Sequence, residues 1–171
     1  MRFIIQIYKD SWISPDGVGH AFISINQGTK IKSLGFYPVN GPQSGIPNPV
    51  TLDPNDFINV EGVFKNNEEH TYDVSLTIPI NASQLSNTIN GIVSVAESNT
   101  QYNLGSINCT DVAILIIESN TNVDIPSCES PRFYWDGQTP GTLGEIIRNL
   151  PLPNGATKNT TGGNAPTNSS N

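Results

Sequence analysis

The hydrophobic period of this chain changes once, near residue 80, and that change constrains its fold more than any other feature. Before it, apolar residues alternate as they do along strands; after it, they recur every three or four residues as they do along helices. Strands followed by helices, rather than alternating with them, predict an α+β domain. The expected architecture is an antiparallel sheet packed against a few helices.

Within the first half, Phe3–Tyr8 reads as a strand, being β-branched and aromatic-rich. Ser14-Pro15-Asp16-Gly17 is a turn signal. In Gly19-His20-Ala21-Phe22-Ile23-Ser24-Ile25, His20, Phe22 and Ser24 share one face, while Ala21, Ile23 and Ile25 share the other. Asn26-Gln27-Gly28-Thr29 joins this strand to a second over Lys30–Tyr37, making a hairpin. Residues 38–55 are dense in Pro and Gly and read as a surface loop. Two more strands are expected over Val60–Phe64 and His70–Ile80, with Asn66-Asn67-Glu68-Glu69 turning between them.

In the second half, Ser83 can cap a helix whose stripe is Leu85, Ile89, Ile92, Val93 and Ala96. Gly91 weakens it by about 1 kcal/mol relative to Ala. The run Cys109–Glu118 is apolar enough for a strand or a buried helix. Helix is chosen, because Asn108 offers a cap and Asp111 places an anion in the first turn. The β-branched residues of 114–117 pull the other way. A last short helix is expected around Thr139–Ile147. Beyond Leu150 the apolar content disappears. The domain is therefore expected to span 1–150, with 151–171 a disordered polar tail or linker.

Charge excludes some functions. Net charge is −7, with only 8 Lys and Arg in 171 residues. No basic cluster exists to neutralise phosphates, so nucleic acid is not an expected partner. No apolar run approaches the roughly 20 residues of a transmembrane helix. With two His and two Cys, a structural metal site is not expected, and no cofactor motif is present. Cys109 and Cys128 are too few for a disulfide scaffold but could form one bridge.

Chemistry is expected at Cys109 and His20. A thiol at a helix N-terminus has its thiolate stabilised by the helix dipole, and the free N–H groups near Asn108 and Thr110 can hold an oxyanion. A strand holds a general base such as His20 in a fixed orientation. A free cysteine is more often a core residue, and a lone histidine more often structural. Together, two such groups at element boundaries form the arrangement a cysteine hydrolase needs. A third group should orient the imidazole; Ser33, Tyr37, Asp10 and Asn26 are candidates.

Gly19-His20-Ala21-Phe22-Ile23, followed by Tyr102-Asn103-Leu104 and Asn108-Cys109-Thr110-Asp111, resembles the circularly permuted papain-like (NlpC/P60-related) superfamily. There the His-bearing strand precedes the Cys-bearing helix. Gly35-Phe36-Tyr37-Pro38 and Thr139-Pro140-Gly141-Thr142-Leu143 resemble its toxin-like bacterial branch. The resemblance implies Cys109 as nucleophile, His20 as base, and a polar residue after the His to orient it. At the latter place the second strand offers Lys30, Lys32, Ser33 and Tyr37. It further implies hydrolysis of an amide such as a peptidoglycan peptide, or action on a lipid ester or thioester. A dedicated inhibitor (immunity) protein would be a partner, and delivery to the periplasm would use a route outside this chain. A non-catalytic binding or assembly domain is the rival reading.

Overall fold

The structure, a computed structural model, describes residues 1–8, 19–40, 59–127 and 138–169. The strand-rich half forms β1 (Arg2–Tyr8), β2 (His20–Gln27), β3 (Lys30–Pro38), β4 (Val60–Asn66), β5 (Thr71–Tyr72) and β6 (Val74–Pro79). Then follow α1 (Ala82–Glu97), β7 (Gln101–Tyr102), α2 (Cys109–Asn120), α3 (Pro140–Asn149), β8 (Thr157–Asn159) and β9 (Gly163–Asn164). Seven strands make one antiparallel sheet in the order β7-β4-β3-β2-β1-β6-β8, and β5 pairs with β9 beside it. The α+β class with an antiparallel sheet is therefore observed. The turn at residues 14–17, most of the 38–55 loop, Asp10 and Cys128 lie outside the described residues.

Alternation along β2 divides its side chains as the pattern requires. Ala21 and Ile23 enter a core with Phe36 of β3, Val74, Leu76 and Ile78 of β6, and the buried faces of α2 and α3. His20, Phe22 and Ser24 point to the opposite face. Between β2 and β3, Gln27 pairs with Lys30, so Gly28 and Thr29 form the loop. Gly28 takes φ +65° at its first position, as a type II′ hairpin turn requires.

The helix at 109–120 forms despite its β-branched run. Ile116 and Ile117 are almost completely buried. Burial of each contributes about 1.5–3 kcal/mol, well above a propensity cost of at most about 0.7 kcal/mol per residue. In α1 the cap is Asn81 rather than Ser83: its side chain accepts the Gln84 N–H at 2.9 Å, and Gln84 Oε1 accepts the Asn81 N–H at 3.0 Å. This capping box satisfies two helix donors, where a cap at Ser83 would begin the helix two residues later. Of the expected stripe only Leu85 and Ile92 are buried, and Ala96 is exposed. Leu85, Thr88 and Ile92 face inward, whereas Ile89 and Val93 are exposed. Among the described residues, no helix is long and apolar enough to cross a membrane.

The polar segment read as a disordered tail is structured over most of its length, which corrects the 1–150 boundary. β8 pairs with β6. Lys158 Nζ donates to the Arg148 and Leu150 carbonyls at the end of α3, a cation at a helix C-terminus. Asn168 Oδ1 accepts the Ser33 N–H at 2.7 Å, and Ser169 bonds the backbone of Ile31 through both its N–H and its hydroxyl. These bonds close the stretch of β3 that extends beyond β4. The segment has no apolar pattern because backbone and amide hydrogen bonds hold it, and composition does not report those. A chain ending at Asn154 is expected to lose on the order of 3–5 kcal/mol of stability, from several lost hydrogen bonds at about 1 kcal/mol each. A urea titration against the full chain measures this; an unchanged midpoint would show the segment to be dispensable.

Candidate active site

The start of α2 is held from three directions. Asn108 is its N-cap: Oδ1 accepts the Thr110 N–H at 2.8 Å and the Asp111 N–H at 3.4 Å, and Asp111 Oδ2 accepts the Asn108 N–H at 3.0 Å. Asn108 Nδ2 donates to the Leu104 and Gln138 carbonyls at 3.1 and 2.8 Å. Asp111 Oδ1 accepts the Gln138 N–H at 3.1 Å. This network presents Cys109, a free thiol 2% exposed, at the first turn of the helix.

The sheet opens where the thiol meets it. The β2–β3 ladder ends at Phe22↔Gly35. Yet β1 stays paired with β2 as far as His20, and β4 with β3 as far as Pro38. At this opening Cys109 packs beside Ala21, whose backbone favours the thiolate. His20, one residue earlier, rises on the other face. Thiol and imidazole therefore lie on opposite sides of the sheet, and among the described residues no hydrogen bond joins them.

His20 sits in a closed polar cluster. Its ring stacks on Tyr37 with centroids 4.2 Å apart and on Phe22 at 6.1 Å. Asn67 Nδ2 donates to the Tyr37 hydroxyl at 2.7 Å. Among the described residues, His20 Nε2 and Asn67 Oδ1 are the two buried side-chain polar atoms without a hydrogen-bond partner. Both lie over Gly35: a methyl there would overlap Nε2 and come within 2.5 Å of Oδ1. The two atoms lie near each other over a glycine that leaves room for both, without a hydrogen bond between them.

Burial sets the protonation states. It pushes the Cys109 thiol up to about 11, against the opposing effect of the Ala21 and Thr110 donors. Burial, and then the nearby His70, brings His20 down to about 3. At neutral pH the pair is a neutral thiol and a neutral imidazole, not an ion pair. Burial also raises Tyr37, Tyr102 and Asp111. The space beside the thiol, bounded by Ala21, Gly35, Val112 and Ile116, is about 10 Å³, at the lower limit for one water.

The expected residues divide accordingly. Tyr37 touches His20 but braces the ring rather than accepting its proton. Ser33 does not reach it: its hydroxyl pairs with Ser24 at 2.7 Å and donates to the Pro166 carbonyl at 3.3 Å. Asn26 lies at the other end of β2, paired with Ile31. The Thr110 N–H, expected to hold an oxyanion, is already occupied by the Asn108 cap. Sequence reading missed Asn67, which it placed in a turn where asparagine is usually solvated. It also gave no role to Tyr102, which is buried in the same core cluster as Cys109.

No protein-family model, no curated protein and no solved structure matches this chain.

Proposed function

We propose that the chain is a thiol hydrolase of the permuted papain-like kind, acting through Cys109, His20 and Asn67. One observation carries the reading: Cys109 stands at the capped start of α2, packed against β2 beside Ala21, the residue directly after His20. On this reading His20 acts as a neutral general base. Once the strands part it takes the thiol proton as sulfur attacks an amide carbonyl, and Asn67 Oδ1, beside Nε2 over Gly35, is the group placed to orient the ring. The Tyr102 hydroxyl is the donor for the developing oxyanion. The amine leaves with the proton from His20, and water then hydrolyses the thioester. Substrate entry requires β2 and β3 to part further at the existing opening. A peptidoglycan stem peptide is the first substrate choice and a lipid ester the second; an inhibitor protein would be the partner of a toxin-like member.

The rival reading, a binding or assembly domain, is favoured by the closed space beside the thiol. Two measurements separate them. Mass spectrometry after incubation with acyl-activated amides and esters is expected to trap an acyl adduct on the wild type. The adduct should be absent in Cys109→Ala, and turnover should fall roughly 10²–10⁴-fold in His20→Ala. No adduct with either substrate class, or turnover surviving in Cys109→Ala, would leave the binding domain. The thiol state is testable separately. Alkylation of folded Cys109 is expected to be slow at pH 7 and to climb about tenfold per pH unit towards 11. A plateau near pH 8 would place a stabilising charge beside the sulfur.

A further inference from the structure

A groove of about 390 Å³ lies on the helix side of the sheet, between α1 and the tip of the β2–β3 hairpin. Leu34, Leu85, Ile89 and Val93 line it, with Lys30 and Lys32 beside them. Ile89 and Val93 are 47% and 44% exposed, although the helical period assigns both to the buried stripe. The reason is the placement of α1, which packs on α2 and on β4 and leaves the hairpin tip uncovered.

Charge narrows the occupant. Among the described residues no Asp or Glu lines the groove. Strand alternation sends Lys30 and Lys32 to the same face as Leu34. Neither lysine has an ion pair among the described residues. The chain has 8 Lys and Arg against 15 Asp and Glu, so two cations beside one apolar groove run against its acidic balance. A second copy is disfavoured, because an isologous contact here would bring Lys30 and Lys32 towards their own counterparts. The volume is in the range of small-molecule pockets, about 300–1,000 Å³. We infer that the groove binds a free medium-chain fatty acid, with the alkyl chain against Leu85, Ile89 and Val93 and the carboxylate at Lys30 and Lys32. This inference does not rest on the thiol or on any catalytic reading.

Calorimetric titration of the full chain with laurate below its micellar concentration tests it. Dodecyltrimethylammonium, the same chain with a cationic head, serves as the control. Saturable one-to-one binding of laurate is expected, with the cation at least about tenfold weaker. Reversing both charges in Lys30→Glu/Lys32→Glu is expected to weaken laurate about tenfold, as two exposed ion pairs would. Ile89→Glu should abolish binding. These side chains are exposed, so the variants should keep the wild-type melting curve. Equal affinity for the two head groups, unsaturable uptake, or laurate binding that survives Ile89→Glu would overturn the inference. So would co-sedimentation with anionic vesicles that equals laurate in its dependence on Ile89, or a dimer broken by Ile89→Glu.

Discussion

Acidification from pH 6.5 towards pH 3 is expected to remove a large part of the stability of this protein, with His20 as the main cause. The ring is buried on Phe22 and Tyr37, and burial holds its pKa near 3 against an ordinary 6.5. A group depressed in the folded state contributes stability that is fully present above its unfolded pKa. That contribution disappears as pH falls through the folded value, because the unfolded chain takes up the proton first. The interval corresponds to on the order of 5 kcal/mol, a large share of a typical domain's 5–15 kcal/mol. Urea midpoints at pH 7 and pH 4 measure the loss. His20→Phe keeps an aromatic ring on Tyr37 but cannot protonate, so its midpoint should fall much less over that range. If the two proteins decline in parallel, the imidazole is not the group that titrates.

Gly35→Ala is expected to be among the most damaging single-methyl additions in the sheet. The new Cβ would overlap His20 Nε2, lie 2.5 Å from Asn67 Oδ1 and 2.8 Å from Tyr37 Cε2. All three residues are at most 2% exposed, so none can swing outward. Overpacking of this kind costs about 1–3 kcal/mol or more, or roughly 5–10 °C in Tm at this size. Gly28→Ala is the matched control. Gly28 has φ +65° and nothing within 4 Å, so its cost is the backbone strain of about 1 kcal/mol alone. Melting curves of the two variants should separate clearly. Combining Gly35→Ala with His20→Ala should recover part of the loss, since the main overlap is gone; no recovery would mean that Gly35 is required for its backbone.

The sequence made the elements legible where period and capping agree. β2, β3 and α2 follow from alternation and from Asn108 with Asp111, and Thr139 caps α3 as Thr139-Pro140 suggests. What it could not carry is arrangement across the sheet. Alternation shows that His20 and Ala21 part company, but only the fold shows which face meets Cys109. Asn67 was hidden because its partner, Tyr37, is 30 residues away and the intervening chain has no pattern linking them. The polar C-terminal segment was misread for a related reason: a stretch held by amides and backbone leaves no hydrophobic trace.

That segment also has a consequence for the order of events during synthesis. The bonds from Asn168 and Ser169 to Ile31 and Ser33 span 135–138 residues. Contacts so distant in sequence carry a high loop-closure cost and form late. On a ribosome producing about 5–20 residues per second, the β2–β3 hairpin is made seconds before the C-terminal segment that seals its edge. During that interval the backbone of Ile31 and Ser33 is an open strand edge, able to pair with another chain. The nascent protein therefore passes through a window of aggregation risk that closes only when Asn168 and Ser169 emerge.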